Sequence, residues 1–182
     1  MERNVDHSLL KKAKANKNDE FYTQYCDIED ELRHYKGHFT GRVVYCNCDD
    51  PRVSNFFKYF LSNFESLGLK RLVASCYKRR KEDLFESLEE EQALYCQIES
   101  SVENVSEKVV FFEGDGDFRS AESVSLLEEC DVVVTNPPFS LFREYVDQLV
   151  EYEKKFLIIG NVNAITYKEI FKLIQNNAAW LG

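Results

Sequence analysis

Asp131-Val-Val-Val-Thr-Asn-Pro-Pro-Phe139 is the stretch of this chain that decides its fold. Residues 132–135 are β-branched at consecutive positions rather than at alternating ones. Such a run predicts a strand that is buried on both faces, as in a parallel sheet. The prolines that follow disfavour a continuing strand, so we expect a turn at 136–139. The stretch therefore predicts the carboxyl end of a central strand, where open α/β sheets bind their ligands.

Segments with strand-like and helix-like patterns alternate on both sides of this stretch. β-rich runs predict strands at 42–47, 71–77 and 156–159, and a hairpin from 93–98 and 108–112. Apolar residues at three- and four-residue spacing predict helices at 23–35, 54–67, 121–129, 140–149 and 166–174. This alternation predicts an α/β fold, with an open, mostly parallel sheet and helices on both faces.

Serine and threonine residues before the helical patterns predict N-caps, because their side-chain oxygens can accept from the first turn. The predicted caps are Thr23, Ser54, Ser120 and Ser140, and Thr166 with Glu169 matches a capping box. The last four residues, 179–182, resemble the beginning of a strand. We therefore expect the chain to be truncated at its C-terminus.

The composition excludes several classes of protein. The 182 residues are 44% hydrophobic, which is enough for one domain with a core. No run approaches the ~18 apolar residues of a transmembrane helix, and residues 1–18 lack the apolar core of a signal peptide. The six cysteines form no Cys-x-x-Cys pair. Most of them lie in apolar, strand-like runs, which predicts a reduced, cytoplasmic protein rather than a disulfide framework.

Charge is distributed unevenly along the chain. The 23 basic and 32 acidic residues give a net charge of −9, yet residues 1–17 hold five basic and two acidic residues, a net of +3. We expect 1–17 to be a polar tail and 18–182 to be the folded core. Nucleic-acid-binding domains usually have a basic face, so most phosphate contacts of a DNA enzyme would lie outside this chain. Residues 78–81 are either a phosphate contact or a solvated loop.

The turn Asn136-Pro137-Pro138-Phe139 suits methyl transfer to an aromatic amine. Such an amine is a poor nucleophile because its lone pair is delocalised into the ring. The Asn136 side-chain oxygen and the Pro137 carbonyl could accept both amine hydrogens and localise the lone pair, while Phe139 stacks on the ring, worth ~1–3 kcal/mol. Positioning and electrostatics would then drive transfer from S-adenosyl-L-methionine. The alternative is a rigid turn that leaves the sheet.

Several segments resemble the EcoRI-type adenine-specific (N6-adenine) DNA methyltransferases. The resemblance implies a Rossmann-like S-adenosylmethionine-dependent fold in which the cofactor half precedes the catalytic motif and DNA recognition follows it. It also implies a restriction-modification enzyme that flips an adenine out of double-stranded DNA, with a restriction endonuclease acting on the same site. The matching segments are 18–24, 44–51 with 54–56, 114–118, 135–142 and 156–161.

The same resemblance implies which residues bind the cofactor. Without the resemblance, the same residues have ordinary structural explanations. Residues 21–23 would begin a helix, the aspartates at 49 and 50 would cap the following helix, and 115–117 would be an acidic turn. The usual Gly-x-Gly loop is replaced by 48–51, and no acidic residue follows the second strand to bind the ribose. The cofactor-binding residues implied are Phe21, Tyr22 and Thr23, then Asn47, Asp49 and Asp50, and finally Asp115, Asp117 and Phe118.

Other constellations favour structure over chemistry. His34 and His38 are four residues apart, but Gly37 interrupts the helix, so no metal site is predicted. Cys46 and Cys48 are expected as core thiols on a strand, and the aromatic face of 54–67 as core. Two rival functions stay open: an RNA or protein-glutamine amino methyltransferase, and a non-catalytic remnant of the fold.

Overall fold

The computed structural model describes residues 23–78 and 92–182 of the chain, and within them the strands form one six-stranded sheet. The sheet order is β4-β3-β2-β1-β5-β6. Strands β1, β2, β5 and β6 are parallel, while β3 runs antiparallel to β2 and β4. The predicted mostly parallel sheet and the predicted hairpin are confirmed. The strands are β1 (Val43–Asn47), β2 (Arg71–Cys76), β3 (Leu94–Ile98), β4 (Val109–Phe111), β5 (Val132–Thr135) and β6 (Lys155–Ile158).

Helices connect these strands in the predicted alternation. The α-helices are α1 (Tyr25–Leu32), α2 (Asn55–Ser62), α3 (Phe64–Leu67), α4 (Val105–Lys108), α5 (Ala121–Glu129), α6 (Phe142–Glu151) and α7 (Lys168–Gln175). Shorter 3₁₀ helices span Arg33–His38, Phe139–Leu141 and Val162–Thr166. None of the helices in the described part of the chain is long and apolar enough to cross a membrane.

Hydrophobic clusters cover both faces of the sheet. Because side chains alternate along a strand, β1 sends Val44 and Cys46 to one face and Val43 and Tyr45 to the other. Helices α1, α2 and α3 pack on the first face, and α5 and α6 pack on the second. The aromatic face of 54–67 is core, as predicted, and each buried aromatic ring stabilises the fold by about 1.5–3 kcal/mol.

The order of the strands in the sheet changes direction between β1 and β5. From β1 the chain passes to β2 on one side, and it later places β5 on the other side of β1. The carboxyl ends of β1 and β5 therefore form a topological switch point, the crevice where open α/β sheets bind ligands.

Two of the predicted helix caps are confirmed. The Ser54 hydroxyl accepts from the Phe57 N–H at 3.2 Å and starts α2. The Ser120 hydroxyl accepts from the Ser123 N–H at 3.2 Å and starts α5. In both cases the hydroxyl satisfies a first-turn donor that has no partner within the helix.

The other predicted caps are wrong. Gln24, not Thr23, precedes α1. Ser140 lies inside a 3₁₀ turn, since the Leu141 N–H bonds to the Pro138 carbonyl, and α6 begins only at 142. The Thr166 hydroxyl donates to the Asn163 carbonyl at 2.7 Å instead of capping α7. The Thr166 hydroxyl thus bonds to a nearby backbone group in a competing local turn.

Of the two cysteines predicted as core thiols on a strand, Cys46 is confirmed and Cys48 is not. None of the six cysteines, which all lie in the described part of the chain, forms a disulfide, and four of them are buried. Burial raises the pKa of Cys96 to about 11 and that of Cys130 to about 12, so both stay protonated at neutral pH. Cys48 was expected on a strand, but it lies just after the end of β1 and has a backbone φ of 68°, which is incompatible with a strand.

Some expectations concern the ends of the described segments. Residues 179–182 form no strand, contrary to the prediction. The predicted tail 1–17, the cofactor candidates Phe21 and Tyr22, and the basic residues 79–81 lie outside the described residues.

Candidate active site

Asp49 lies where the carboxyl ends of the neighbouring strands β1 and β5 meet. Its Oδ2 is 2.6 Å from the hydroxyl of Thr135, and its Oδ1 accepts from the Ser54 hydroxyl at 2.6 Å. The Thr135 hydroxyl also contacts the carbonyl of Asn47. The carboxylate is thus positioned by two hydroxyls, one from β5 and one from the start of α2.

Asp50 has a different environment. It is only 8% exposed, and both of its carboxylate oxygens bond to the Arg52 guanidinium, with distances of 2.6 to 3.2 Å. The Arg52 backbone N–H also donates to it at 2.9 Å. Its own carbonyl accepts from the N–H groups of Val53 and Ser54. Asp50 therefore closes the turn between β1 and α2 through a two-point arginine pair.

Asn47, the last residue of β1, is 2% exposed and connects to β2. Its side-chain oxygen accepts from the Ser75 hydroxyl at 3.3 Å, and Ser75 is 2.7 Å from the hydroxyl of Tyr45. The Asn47 Nδ2 is buried and has no hydrogen-bond partner among the described residues. Leaving a buried donor unsatisfied costs about 1–3 kcal/mol, so this amide fits the role of a ligand contact.

The Asn136–Phe139 turn leaves β5 directly after Thr135. Asn136 is 8% exposed, and its side-chain oxygen is buried. Pro137 is buried too, while Pro138 and Phe139 are half-buried. The turn therefore lies at the same sheet edge as Asp49, one strand away, as the sequence predicts for residues that follow neighbouring parallel strands.

The acidic turn at 114–118 lies against the end of β2. The Lys78 N–H donates to the Asp115 carbonyl at 2.7 Å. Gly116 has φ 72°, and a Cβ there would lie 2.6 Å from Ala93 and 2.9 Å from the Cys76 carbonyl. Only glycine permits this close approach, which fixes the turn beside the cofactor candidates of β1.

The three predicted cofactor residues of this turn have different surroundings. Asp115 is exposed, and its carboxylate accepts from the Asp117 N–H at 3.0 Å. Asp117 pairs with Arg119 through two side-chain bonds of 2.8 Å. Phe118 is buried, edge-on to the Tyr145 ring at 5.2 Å. Asp115 is thus the side chain that the turn presents to solvent.

The Asp117–Arg119 pair predicts an acid-sensitive contribution to stability. Hydrogen bonds from Arg119 hold the pKa of Asp117 below its ordinary value of about 3.9. A depressed carboxyl pKa stabilises the fold above the unfolded-state pKa, and this stabilisation is lost as the pH falls through the folded-state pKa. We expect Arg119→Gln to lower the free energy of unfolding at pH 6 and to have a smaller effect at pH 2.5, which is below the unfolded-state pKa.

Urea unfolding at the two pH values measures this difference. Lys36→Gln removes an exposed positive charge elsewhere and serves as the control. An Arg119→Gln effect that is equal at both pH values would show that Arg119 acts through packing alone.

A surface pocket of about 150 Å³ lies beyond the turn, at the carboxyl end of β6. No sequence pattern indicates this pocket, although the segment 156–161 belongs to the resemblance. Gly160 lets the ring of Phe142 reach this place, because a Cβ at 160 would lie 2.8 Å from that ring. The lining residues are Phe139, Phe142, Asn161, Asn163, Ala164 and Tyr167.

The remaining candidates lie elsewhere or belong to the framework. Thr23 is half-buried, and its carbonyl accepts from Asn55 at 2.9 Å, which places it beside the start of α2. His34 and His38 are exposed on a 3₁₀ helix that continues through Gly37. Over the described ranges, no three His, Cys, Asp or Glu side chains form a group that could hold a metal ion.

Sequence reasoning missed the hydroxyls that organise the site. The sequence pattern indicates Thr135 as the end of a buried strand and Ser54 as a helix cap, and the resemblance includes both residues without assigning either a role. A threonine at the end of a valine run, directly before Asn136, is the one signal that could have indicated a positioning role. Its partner, Asp49, lies 86 residues away in the sequence.

Comparison with known proteins supports the resemblance. The family model described as adenine-specific methyltransferase EcoRI matches residues 9–182. The Type II methyltransferase M.EcoRI of Escherichia coli is 61% identical over 189 residues, an alignment that covers 100% of this chain and 57% of that protein. M.MpnI of Mycoplasma pneumoniae is 40% identical, with 94% of this chain and 49% of that protein covered.

A third relative gives the same result. The Type II methyltransferase M.MgeORF184P of Mycoplasma genitalium is 35% identical, and the alignment covers 94% of this chain and 50% of that protein. The chain thus spans about half the length of the curated relatives it matches. No solved structure matches it. With a family model that matches 174 of its 182 residues (9–182) and an α/β sheet that places the Asn136 turn beside Asp49, the chain belongs to the EcoRI family of adenine-specific methyltransferases.

Proposed function

We propose that the protein containing this chain transfers a methyl group from S-adenosyl-L-methionine to the N6 amine of an adenine in double-stranded DNA. The observation that carries the proposal is the placement of Asn136 and Pro137 at the end of β5, beside Asn47 and Asp49 at the end of β1. An acceptor motif and a cofactor loop thus flank one switch point. The description of the family as adenine-specific supports the same acceptor.

The described residues fit the cofactor. S-adenosyl-L-methionine, when bound, supplies an electrophilic methyl group on a sulfonium. We assign Asp49 to the cofactor's ammonium group, because its carboxylate is positioned at the switch point. Asn47 offers its buried amide donor at the same edge, and Asp115 presents its carboxylate for the amine of the cofactor's adenine. Phe21, Tyr22 and Thr23 remain proposed for the methionine end. Asp50, through Arg52, stabilises the loop that bears Asp49, while Asp117, through Arg119, and Phe118, through Tyr145, stabilise the turn that bears Asp115.

The acceptor side needs no general base before transfer. The Asn136 side-chain oxygen and the Pro137 carbonyl accept the two hydrogens of the amine, which aims its lone pair at the methyl group. Pro138 fixes the direction of the turn, and Phe139 stacks on the base, worth ~1–3 kcal/mol. The methylated amine is cationic and acidic, so it releases its proton to solvent after transfer. Positioning and electrostatics are the sources of the rate acceleration.

The biological setting follows from the same proposal. The relatives are Type II methyltransferases, so we assign the protein to a restriction-modification system with a cognate endonuclease for the same site, in the cytoplasm. The adenine would be flipped out of the duplex at a cost of a few kcal/mol. The net charge of −9 favours phosphate contacts in a target-recognition region outside residues 18–182.

A calorimetric titration of S-adenosyl-L-methionine into the 182-residue chain tests the cofactor half of the proposal. We expect saturable binding at a ratio of one to one. S-adenosylhomocysteine should compete, and ATP, which shares only the adenosine part, should compete weakly. Absence of binding would contradict the assignment of a cofactor site to this chain.

A product digest tests the acceptor. DNA methylated by the protein that contains this chain, with S-adenosyl-L-methionine radiolabelled in its methyl group, should yield labelled N6-methyl-2′-deoxyadenosine. Label in RNA or in glutamine residues of protein would favour the rival amino methyltransferases instead. No label in any of them would favour a non-catalytic remnant.

A further inference from the structure

The 150 Å³ pocket at the end of β6 adjoins the proposed acceptor motif. Phe139 belongs to both the Asn136–Phe139 turn and the pocket lining. The Ile159 N–H donates to the Thr135 carbonyl at 3.2 Å, so the residues that follow β5 and β6 continue side by side. The β5–β6 register places Asn136 opposite Ile159 and Pro137 opposite Gly160, about 4.8 Å apart, so the pocket lies directly beside the turn.

The pocket lining has the chemistry that binds a nucleobase. Phe139 and Tyr167 contribute half-buried aromatic rings, on which a flat base can stack. Asn161 is fixed, because its side-chain oxygen accepts from the Asn163 N–H at 2.9 Å. Asn163 is exposed, and its carboxamide offers a donor and an acceptor to the edge of a ring.

Tyr167 is held in place from outside the pocket. The Arg143 guanidinium on α6 lies 4.0 Å from the centroid of the Tyr167 ring, within the range of a cation–π contact. The backbone of Tyr167 is fixed as well, because its N–H donates to the Ala164 carbonyl at 3.0 Å and its carbonyl accepts from Phe171 at 2.8 Å. The Tyr167 ring is thus held in position as one wall of the pocket.

We propose that Tyr167, positioned by Arg143, is the second aromatic wall of the pocket that receives the methyl-accepting purine, with Phe139 as the other wall. Asn163 contacts the edge of the purine and contributes to the choice of base. This assignment rests on the proposed function, since it specifies where the acceptor lies during transfer.

The position in the sheet distinguishes this purine from that of the cofactor. The turn that bears Asp115, proposed for the cofactor's adenine, lies at the end of β2. The sheet order places β1 and β5 between β2 and β6. Three strand spacings, about 14 Å, therefore separate the two places, and the pocket serves the acceptor.

Titration of 2-aminopurine 2′-deoxyriboside, a fluorescent isomer of the adenine nucleoside, tests the assignment in the 182-residue chain. Stacking on the aromatic walls should quench its fluorescence in a saturable way. Tyr167→Ala should weaken binding about thirtyfold, the middle of the range for loss of one stacking partner. Tyr167→Phe, which keeps the ring, should bind within about twofold of the wild type. Arg143→Gln should give a smaller loss than Tyr167→Ala.

Controls separate a local effect from unfolding. Lys168→Ala changes an exposed neighbour outside the pocket and should bind the nucleoside like the wild type. Calorimetric affinity for S-adenosyl-L-methionine should stay unchanged in every variant. Saturating S-adenosylhomocysteine should not displace the nucleoside.

Several outcomes would overturn the assignment. Wild-type affinity in Tyr167→Ala would remove the ring from the pocket's function, and displacement by S-adenosylhomocysteine would give the pocket to the cofactor. Cofactor binding without nucleoside binding would refute the pocket and leave the proposed function standing. Nucleoside binding without cofactor binding would support the pocket and contradict the proposed function.

Discussion

Asn136→Ala should reduce methyl transfer by the protein that contains this chain by at least about 10²–10³-fold, the usual cost of removing one preorganised polar contact to the reacting group. Asn136 follows β5 and has a buried side-chain oxygen, so water would replace that oxygen poorly. Without it, the lone pair of the amine stays delocalised into the ring. Affinity for S-adenosyl-L-methionine should remain within a few-fold, because the cofactor residues belong mainly to β1 and its loop.

Single-turnover methylation and cofactor calorimetry measure these two effects separately. Asn136→Asp is the matched variant, because it keeps an acceptor oxygen of the same reach, and it should retain more activity than Asn136→Ala. Equal rates for Asn136→Ala and the wild type would remove Asn136 from the mechanism. A parallel loss of cofactor affinity would mean that the substitution disturbs the switch point instead.

Asp49→Asn should weaken S-adenosyl-L-methionine binding at least about tenfold, as expected for the loss of one charge-assisted contact. Asp50→Asn should leave cofactor affinity nearly unchanged but lower the free energy of unfolding by about 1–3 kcal/mol, because its carboxylate bonds to Arg52 and closes the turn before α2. The two adjacent aspartates thus have separable roles, one in ligand binding and one in the framework.

Calorimetry and urea unfolding distinguish these roles. Arg52→Gln removes the arginine partner of Asp50 and leaves the hydroxyl contacts of Asp49 in place, so it should reproduce the stability loss of Asp50→Asn. If neither Asp49→Asn nor Asp50→Asn changes cofactor affinity, both aspartates are caps of the following helix. If Asp50→Asn alone abolishes binding, the assignment is reversed.

The parts of the fold that the sequence predicts well depend on local patterns. The consecutive valines of β5 indicate burial on both faces wherever the strand lies in the sheet, and the apolar spacing of α2 indicates its core face. Caps are harder to predict, because Ser140 and Thr166 have the right chemistry, but Ser140 lies inside a 3₁₀ helix and the Thr166 hydroxyl bonds to the nearer Asn163 carbonyl. The competing 3₁₀ turns at 139–141 and 162–166 have no comparable signal.

The candidate site likewise has a part that the sequence predicts and a part that it does not. Asn136 and Asp49 are predictable together because they follow parallel strands, whose carboxyl ends share an edge. The contact between Thr135 and Asp49 joins two strands from distant parts of the sequence. The pocket lined by Asn163 and Tyr167 depends on how the segment after β6 packs against α6. Residue spacing alone encodes neither relation.

The Thr135 hydroxyl has a consequence for how the two substrates influence one another. It has a single proton, which serves either the Asn47 carbonyl or Asp49, and it belongs to the residue directly before Asn136. A ligand that engages Asp49 therefore changes the hydrogen bonding at the base of the acceptor turn. Thermodynamic reciprocity requires the acceptor to alter cofactor affinity by the same factor. We expect this shared proton to make the two binding events cooperative, with Thr135 as the point of communication between them.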